Sequence, residues 1–326
     1  MAENSLHQQL VKYLTDAHSI EEQALPQMKA APGIAKDERL AEIFRAHHTE
    51  TEGHEQRVRE RLEALGESPS RVKDAVMKAG GVGFALFAKS QPDSAGKLVA
   101  HALSYEHLEL ASYELLIRVA ERAGDSETAE VARGNRNEEE AMIDRLEGSF
   151  DAAVDASLAE KDADDLQEEL VKYLEDAHAL EAQAIQLLEL GPRMAGEPAT
   201  AKIYADHLEE SRSHETVVAA RLAAHGQSPS KLKDAALRLG ALNWGGFFKA
   251  QPDTPGKLAA FVFAYEHLEV GGYEQLKRVA QRAGDMETVR VADEILVQER
   301  SAAAMVALEF DRVVDASLRA QGVGSA

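Results

Sequence analysis

Apolar residues recur at three- and four-residue intervals along most of the chain, which is the spacing of amphipathic helices. In the first half this pattern predicts long helices over residues 6–29, 37–65, 94–123 and 126–158, and a short helix over 68–78. Gly, Pro and Asp residues separate these segments. No window alternates with the period of a strand, so the predicted fold class is all-α.

The chain repeats itself with an offset of 160 residues. Tyr-Glu-His-Leu-Glu at 105–109 recurs at 265–269, and Leu-Val-Lys-Tyr-Leu at 10–14 recurs at 170–174. The same helices are therefore predicted over 166–190, 197–225, 229–239, 254–283 and 286–319. Four long helices and one short helix per half indicate two tandem four-helix bundles, over residues 1–160 and 161–326, each with a long crossover connection. The charged linker at 160–165 contains neither Gly nor Pro and is expected to be helical.

The composition narrows the chemistry that is open to such a protein. Its 326 residues include no cysteine, which excludes disulfides, thiolate metal sites and thiol nucleophiles. The formal net charge of −21 disfavours nucleic acid and favours the attraction of small cations. The first residues do not resemble a signal peptide and no apolar run is long enough for a membrane helix, so a cytoplasmic protein without nucleic-acid or membrane partners is expected.

Several charged residues on apolar helix faces are the same in both halves. Glu21 lies on the apolar stripe of the first helix and recurs as Glu181, whereas the adjacent Glu22 is replaced by Ala182. A buried carboxylate costs roughly several kcal/mol unless a cation or hydrogen bonds compensate its charge. Retention of such acids indicates that they bind something rather than face solvent.

The other three long helices carry retained polar residues as well. On the second helix His47, Glu50 and His54 fall within about 60° of arc on one face. The third helix carries Glu106 and Glu109, followed on the same face by Tyr113. In the acidic run at 138–140 of the last helix only Glu139 is kept in the repeat. The counterparts in the second half are His207, Glu210, His214, Glu266, Glu269, Tyr273 and Glu299.

Carboxylates on four helices, together with imidazoles on the second, form a donor set that suits iron or manganese. A pair of metal ions bridged by glutamates neutralises such a cluster in the middle of a bundle. The predicted metal ligands are Glu21, Glu50, His54, Glu106, Glu109 and Glu139, and in the second half Glu181, Glu210, His214, Glu266, Glu269 and Glu299. Whether His47 and His207 bind metal in place of His54 and His214 is open at this point. Tyr113 and Tyr273 are expected to act as hydrogen-bond donors or one-electron relays, with ordinary core packing as the alternative.

At these residues the chain resembles the ferritin-like superfamily and, within it, the YciE/YciF-type bacterial stress-protein family. The matching segments are 19–23, 47–51, 106–113 and 138–140. The resemblance implies a di-iron-type carboxylate site in each half, with two iron ions per domain, or manganese in their place. The chain departs from the usual Glu-x-x-His pattern, because His54 falls four residues after Glu50 and Met142 stands where the last helix would carry a histidine.

The resemblance also implies a function, namely a ferroxidase that oxidises Fe(II) with dioxygen or hydrogen peroxide in a stress response. Dimanganese catalase-like removal of peroxide is one alternative, and a non-catalytic stress or scaffold protein stabilised by metal ions is another. A rubredoxin-type iron centre is excluded because the chain has no cysteine. The two halves are expected to pack as an intrachain pseudo-dimer, since a duplicated domain retains the self-complementary face of its ancestor.

Overall fold

The computed structural model describes residues 5–69, 94–162, 165–229, 248 and 253–323. These residues form two compact units that meet in the sequence at Ala159 and Glu160. Beyond their first residues, the short helices predicted over 68–78 and 229–239 lie outside the described part of the chain.

In the first unit α1 spans Leu6–Ala30, α2 Glu38–Ala64, α3 Ser94–Ala123, α4 Ser126–Glu147 and α5 Phe150–Leu158. In the second unit α6 spans Asp165–Met194, α7 Pro198–Ala224, α8 Thr254–Ala283, α9 Met286–Ala307 and α10 Phe310–Ala320. None of the described residues belongs to a strand, and the predicted class of tandem all-α bundles is confirmed. No described helix combines the length and the apolar character that crossing a membrane requires.

The long helices of each unit form a four-helix bundle. Helix α1 packs against α2 and α3, and α4 packs against the same two helices; α6 to α9 repeat this arrangement. Leu14, Phe44, Leu103 and Met142, one from each long helix of the first unit, are fully buried between them. Each such side chain stabilises the fold by about 1.5–3 kcal/mol.

Capping residues and glycines set the ends of the helices. Asp37 accepts hydrogen bonds from the backbone N–H groups of Arg39 and Leu40 and begins α2. Gly66 and Gly124 follow α2 and α3 with φ of 78° and 72°, a conformation that glycine adopts without steric cost. These local signals explain why the predicted and observed bounds of α2 and α3 nearly coincide.

The prediction of one continuous last helix in each unit is wrong. After α4 the backbone N–H of Ser149 donates to the Leu146 carbonyl at 2.9 Å, and the Ser149 hydroxyl donates to the same carbonyl at 2.7 Å. This tight turn redirects the chain so that Phe150 packs into the core and α5 lies against α3. The apolar spacing continues through the break, which is why periodicity did not reveal it. Residues 159–162 are not helical either, so the expected helical linker is not observed there.

A matched pair of glycine substitutions tests the close packing of α6 against α7. A Cβ placed on Gly191 would lie 2.8 Å from Cδ2 and 3.0 Å from Cβ of Tyr204. We expect Gly191→Ala to lower the free energy of unfolding by about 1–3 kcal/mol, because the ring and backbone must shift. Gly134→Ala, inside α4, should raise it by up to about 1 kcal/mol, because a Cβ there meets no described atom within 4 Å apart from its chain neighbours and the backbone of its own helix. Urea unfolding measures both, and equal stabilisation at the two positions would contradict this packing.

Candidate metal centre

Two groups of potential metal ligands lie in the middle of the first unit and share one glutamate. Group A consists of Glu21 from α1, His54 from α2 and Glu139 from α4. Group B consists of His47 from α2, Glu106 and Glu109 from α3, and again Glu139. Within each group one ligand atom from every member lies within 4.8 Å of the others. All six side chains are buried, at 1% exposure or less.

The second unit repeats both groups with the corresponding residues. Its group A consists of Glu181, His214 and Glu299, and its group B consists of His207, Glu266, Glu269 and Glu299. All of these residues are buried. A smaller, partly exposed group in the first unit consists of His18, Glu22 and Glu55. The second unit has Ala182 at the position of Glu22.

The shared glutamate presents one oxygen to each group. Oε1 of Glu139 lies 2.8 Å from Nδ1 of His54, and its Oε2 lies 3.4 Å from Nε2 of His47. Glu299 lies in the same way, 2.8 Å from Nδ1 of His214 and 3.3 Å from Nε2 of His207. A cation in either group would therefore have one oxygen of the same glutamate within its reach.

Many ligand atoms in these groups have no hydrogen-bond partner among the described residues. In the first unit these atoms are Oε2 of Glu21, Nε2 of His47, Nδ1 of His54 and both carboxylate oxygens of Glu106, Glu109 and Glu139. The imidazoles approach the carboxylates closely without hydrogen-bond alignment, as Nε2 of His47 approaches Oε2 of Glu106 at 2.9 Å. Folded proteins pair nearly all buried polar atoms, since each unpaired one costs roughly 1–3 kcal/mol. Cations bound among these atoms would satisfy them, so the donor set fits metal.

Burial and mutual repulsion change the proton affinity of these groups. Burial, together with the neighbouring carboxylates, raises the pKa of Glu109 and of Glu269 well above the usual range. Burial disfavours a charged imidazole, but the adjacent carboxylates outweigh it and raise the pKa of His47 to about 10 and that of His54 to about 11. Protons therefore compensate part of the negative charge when no metal ion is bound.

Glu50, an expected ligand, lies outside both groups of the first unit. Glu210 likewise lies outside both groups of the second unit. The Glu50 side chain is 33% exposed, and its Oε2 lies 2.9 Å from Nδ1 of His47 and 2.5 Å from Nη2 of Arg145. These hydrogen bonds outweigh burial and lower the pKa of Glu50 to about 2. On a helix, Glu50 lies about 60° around the axis from His47, whereas His54 lies within about 20°. Glu50 therefore orients His47 from the solvent side.

Helix α2 supplies an imidazole to each group. His47 lies in group B and His54 in group A, with ring centroids 6.2 Å apart. Group B therefore contains an imidazole from α2, whereas the last long helix has Met142 at the position where the family resemblance implies a histidine. The internal repeat could have indicated that both histidines belong to the site, because His47 and His54 recur as His207 and His214.

Tyr113 and Tyr273 lie beside group A of their units. The hydroxyl of Tyr113 donates to Oε1 of Glu21, and that of Tyr273 donates to Oε1 of Glu181 at 2.5 Å. Burial and the nearby carboxylates raise the pKa of both tyrosines well above the usual range, so both are neutral phenols. In the first unit the other oxygen of the glutamate, Oε2 of Glu21, lies 3.7 Å from Nδ1 of His54. In the second unit the tyrosine-bound Oε1 of Glu181 itself lies 3.4 Å from Nδ1 of His214.

The internal repeat does not reveal one contact of a group A histidine. Glu138 is not among the predicted ligands because the repeat carries Gln298 there, yet Oε2 of Glu138 lies 2.8 Å from Nε2 of His54. No pattern in the sequence marks this glutamate, because its role depends on how α2 and α4 face each other.

Comparison with known proteins adds a family relationship. A family model described as "Domain of unknown function (DUF892)" matches residues 5–159 and again residues 165–318. Protein YciF of Escherichia coli (strain K12) is 30% identical over 144 residues, which are 42% of this chain and 84% of YciF. No solved structure gives a significant match. Each family match contains one complete pair of groups A and B.

The raised histidine pKa values predict how the stability of the metal-free protein depends on pH. The folded state holds protons on His47 and His54 up to about pH 10 and 11, whereas the unfolded chain releases them near 6.5. Their contribution to stability is thus full below pH 6.5 and is lost as the pH rises towards 10. The raised pKa of Glu109 acts in the same direction above 4.5.

We therefore expect the free energy of unfolding of chelated protein to fall between pH 6.5 and about 10, as measured by urea unfolding at several pH values. The control is the variant His54→Gln with His214→Gln, which should show a shallower fall because two of the titrating groups are gone. Stability that rises through this window in the chelated protein would contradict the assignment of these histidines to carboxylate-rich cores.

Proposed function

This chain belongs to the ferritin-like DUF892 family, which it matches twice, and we propose that each of its two units binds a pair of metal ions and oxidises Fe(II). The paired groups support this proposal, because one glutamate contributes an oxygen to each group. A single-ion site would leave the remaining buried carboxylates uncompensated. Iron is the proposed metal, with manganese as the alternative.

The ligand sets divide naturally between two ions. Glu21 and His54 would hold one ion, and the residues of group B other than Glu139 would hold the other, with Glu139 between them. Each ion would thus receive one imidazole and otherwise carboxylate oxygens, a combination that both iron and manganese accept. The net charge of −21 favours the approach of such cations to the protein.

The reaction needs two electrons per oxidant. Two Fe(II) ions bound as substrate in one unit supply them, and one hydrogen peroxide with two protons becomes two waters, or one dioxygen with two protons becomes hydrogen peroxide. The carboxylates stabilise the additional positive charge of the oxidised ions, since the cluster is buried where charges interact strongly. Tyr113 and Tyr273, as neutral phenols, keep a proton at group A and orient the glutamate beside them.

Metal content tests the binding assignment. Glu139→Ala should lower the content from about four to about two ions per chain, because this residue belongs to both groups of its unit. The double variant with Glu299→Ala should lose tight binding altogether. Elemental analysis of purified protein measures both, with circular dichroism to confirm that the helices are retained.

Glu140→Ala is the matched control for these variants. It lies next to Glu139 on α4, its side chain is 54% exposed, and the repeat has Arg300 at this position. This variant should keep the full metal content. Full metal content in the double variant Glu139→Ala with Glu299→Ala would show that the shared glutamates do not hold metal.

Oxidation is tested separately from binding. Protein loaded anaerobically with Fe(II) should oxidise it on addition of hydrogen peroxide or dioxygen at least about tenfold faster than Fe(II) in buffer, and two Fe(II) should disappear per peroxide. Absorbance of Fe(III) and the remaining peroxide are measured together. Bound Fe(II) that reacts no faster than free Fe(II) would leave metal binding intact but remove the ferroxidase proposal. Peroxide turnover by manganese-loaded protein would then favour the catalase-like alternative.

A further inference from the structure

The residues that surround group A differ between the two units, although the ligands themselves are the same. In the first unit Nε2 of His54 lies 2.8 Å from the Oε2 atom of Glu138. In the second unit Nε2 of His214 lies 2.6 Å from Oε1 of Gln298. A carboxylate in one unit is therefore replaced by a neutral amide in the other, at the same contact with the outer nitrogen of the histidine.

Glu138 belongs to a network of hydrogen bonds that, among the described residues, exists only around group A of the first unit. Arg57 donates to Glu138 at 2.8 Å and to the side-chain oxygen of Asn135 at 2.7 Å. Asn135 donates in turn to the hydroxyl oxygen of Tyr113 at 2.8 Å, and Tyr113 donates to Glu21. This network begins at His54 and ends at Glu21, so it holds both of these group A side chains in place.

The second unit has other residues at the three positions of this network that are neither ligands nor the tyrosine. The replacements are Val217 for Arg57, Ile295 for Asn135 and Gln298 for Glu138. The Ile295 side chain is buried and carries no donor for the tyrosine hydroxyl. The second unit therefore lacks the carboxylate at the outer nitrogen of the group A histidine, and it also lacks the two side chains that bind this carboxylate and Tyr113 in the first unit.

We propose that Glu138 is a positioning residue that makes group A of the first unit a tighter metal site than group A of the second unit. The inference rests on the proposed metal binding. A carboxylate that accepts the outer N–H of a ligating imidazole fixes the tautomer and strengthens the ligand, and its loss typically weakens metal binding by about 10–100-fold. The shorter contact to Gln298 does not replace this charge, because charge-assisted hydrogen bonds are roughly twice as strong as neutral ones.

The group B histidines have a carboxylate in both units. Oε2 of Glu50 lies 2.9 Å from Nδ1 of His47, and Oε2 of Glu210 lies 3.0 Å from Nδ1 of His207. Three of the four groups therefore have a histidine supported by a carboxylate, and group A of the second unit is the exception. The chain should fill in two stages, with three ions bound tightly and the fourth bound weakly.

Reciprocal substitutions test this asymmetry. Full-length metal-free protein is titrated with Mn(II), which binds without redox chemistry, and bound metal is counted by equilibrium dialysis. Wild-type protein should show three tight sites and one that is weaker by about 10–100-fold. Glu138→Gln should convert one tight site into a weak one, leaving two of each. Gln298→Glu should give four tight sites, a gain that a merely structural role of these residues would not produce.

Two control variants separate the effect of Glu138 from a general change in charge and from binding at the smaller group. Glu140→Gln changes an exposed neighbour of Glu138 by the same single charge and should leave the wild-type pattern. The titrations are repeated with Glu22→Ala, which removes the smaller group formed with His18 and Glu55. Four equal sites that neither Glu138→Gln nor Gln298→Glu alters would overturn this inference and leave the proposed function standing. Wild-type protein that binds no Mn(II) or Fe(II) would instead remove the proposed function itself.

Discussion

Negative charge buried in the middle of each bundle is the constraint on which the remaining structure depends. In the first unit four carboxylates lie close together, and almost none of their side-chain surface is exposed to water. They belong to Glu21, Glu106, Glu109 and Glu139. Ionised carboxylates cost roughly several kcal/mol each when they are removed from water, and their repulsion adds to that cost. The fold therefore requires cations at this place, either protons on the histidines and glutamates or bound metal ions.

The two histidines of α2 meet this requirement with opposite ring nitrogens. His47 directs Nε2 into group B while its Nδ1 contacts Glu50, and His54 directs Nδ1 into group A while its Nε2 contacts Glu138. Which nitrogen is available to a cation is thus set by the acceptor on the solvent side. The half-exposed acids around the core act on the buried site through these rings, without entering it.

Comparison of the two units distinguishes the residues that form the site from the residues that only contact it. Every member of groups A and B is identical in the two units, and so is the tyrosine beside each group A. The surrounding contacts differ, since the hydrogen-bond network formed by Arg57, Asn135 and Glu138 has no counterpart in the second unit. The ligands themselves are the same in both units, because an unpaired charge at these buried positions would be costly.

The sequence alone determined the helical class, the duplication and most of the buried acids, because helical periodicity and an internal repeat are both properties of the one-dimensional chain. It did not separate His47 from Glu50, since residues about 60° apart on one helix share an apolar face and only the neighbouring helices decide which of them is enclosed. The break between α4 and α5 and the contact of Glu138 with His54 were decided in the same way. Both depend on side chains that come together across the bundle, and such contacts leave no spacing in the sequence to be recognised.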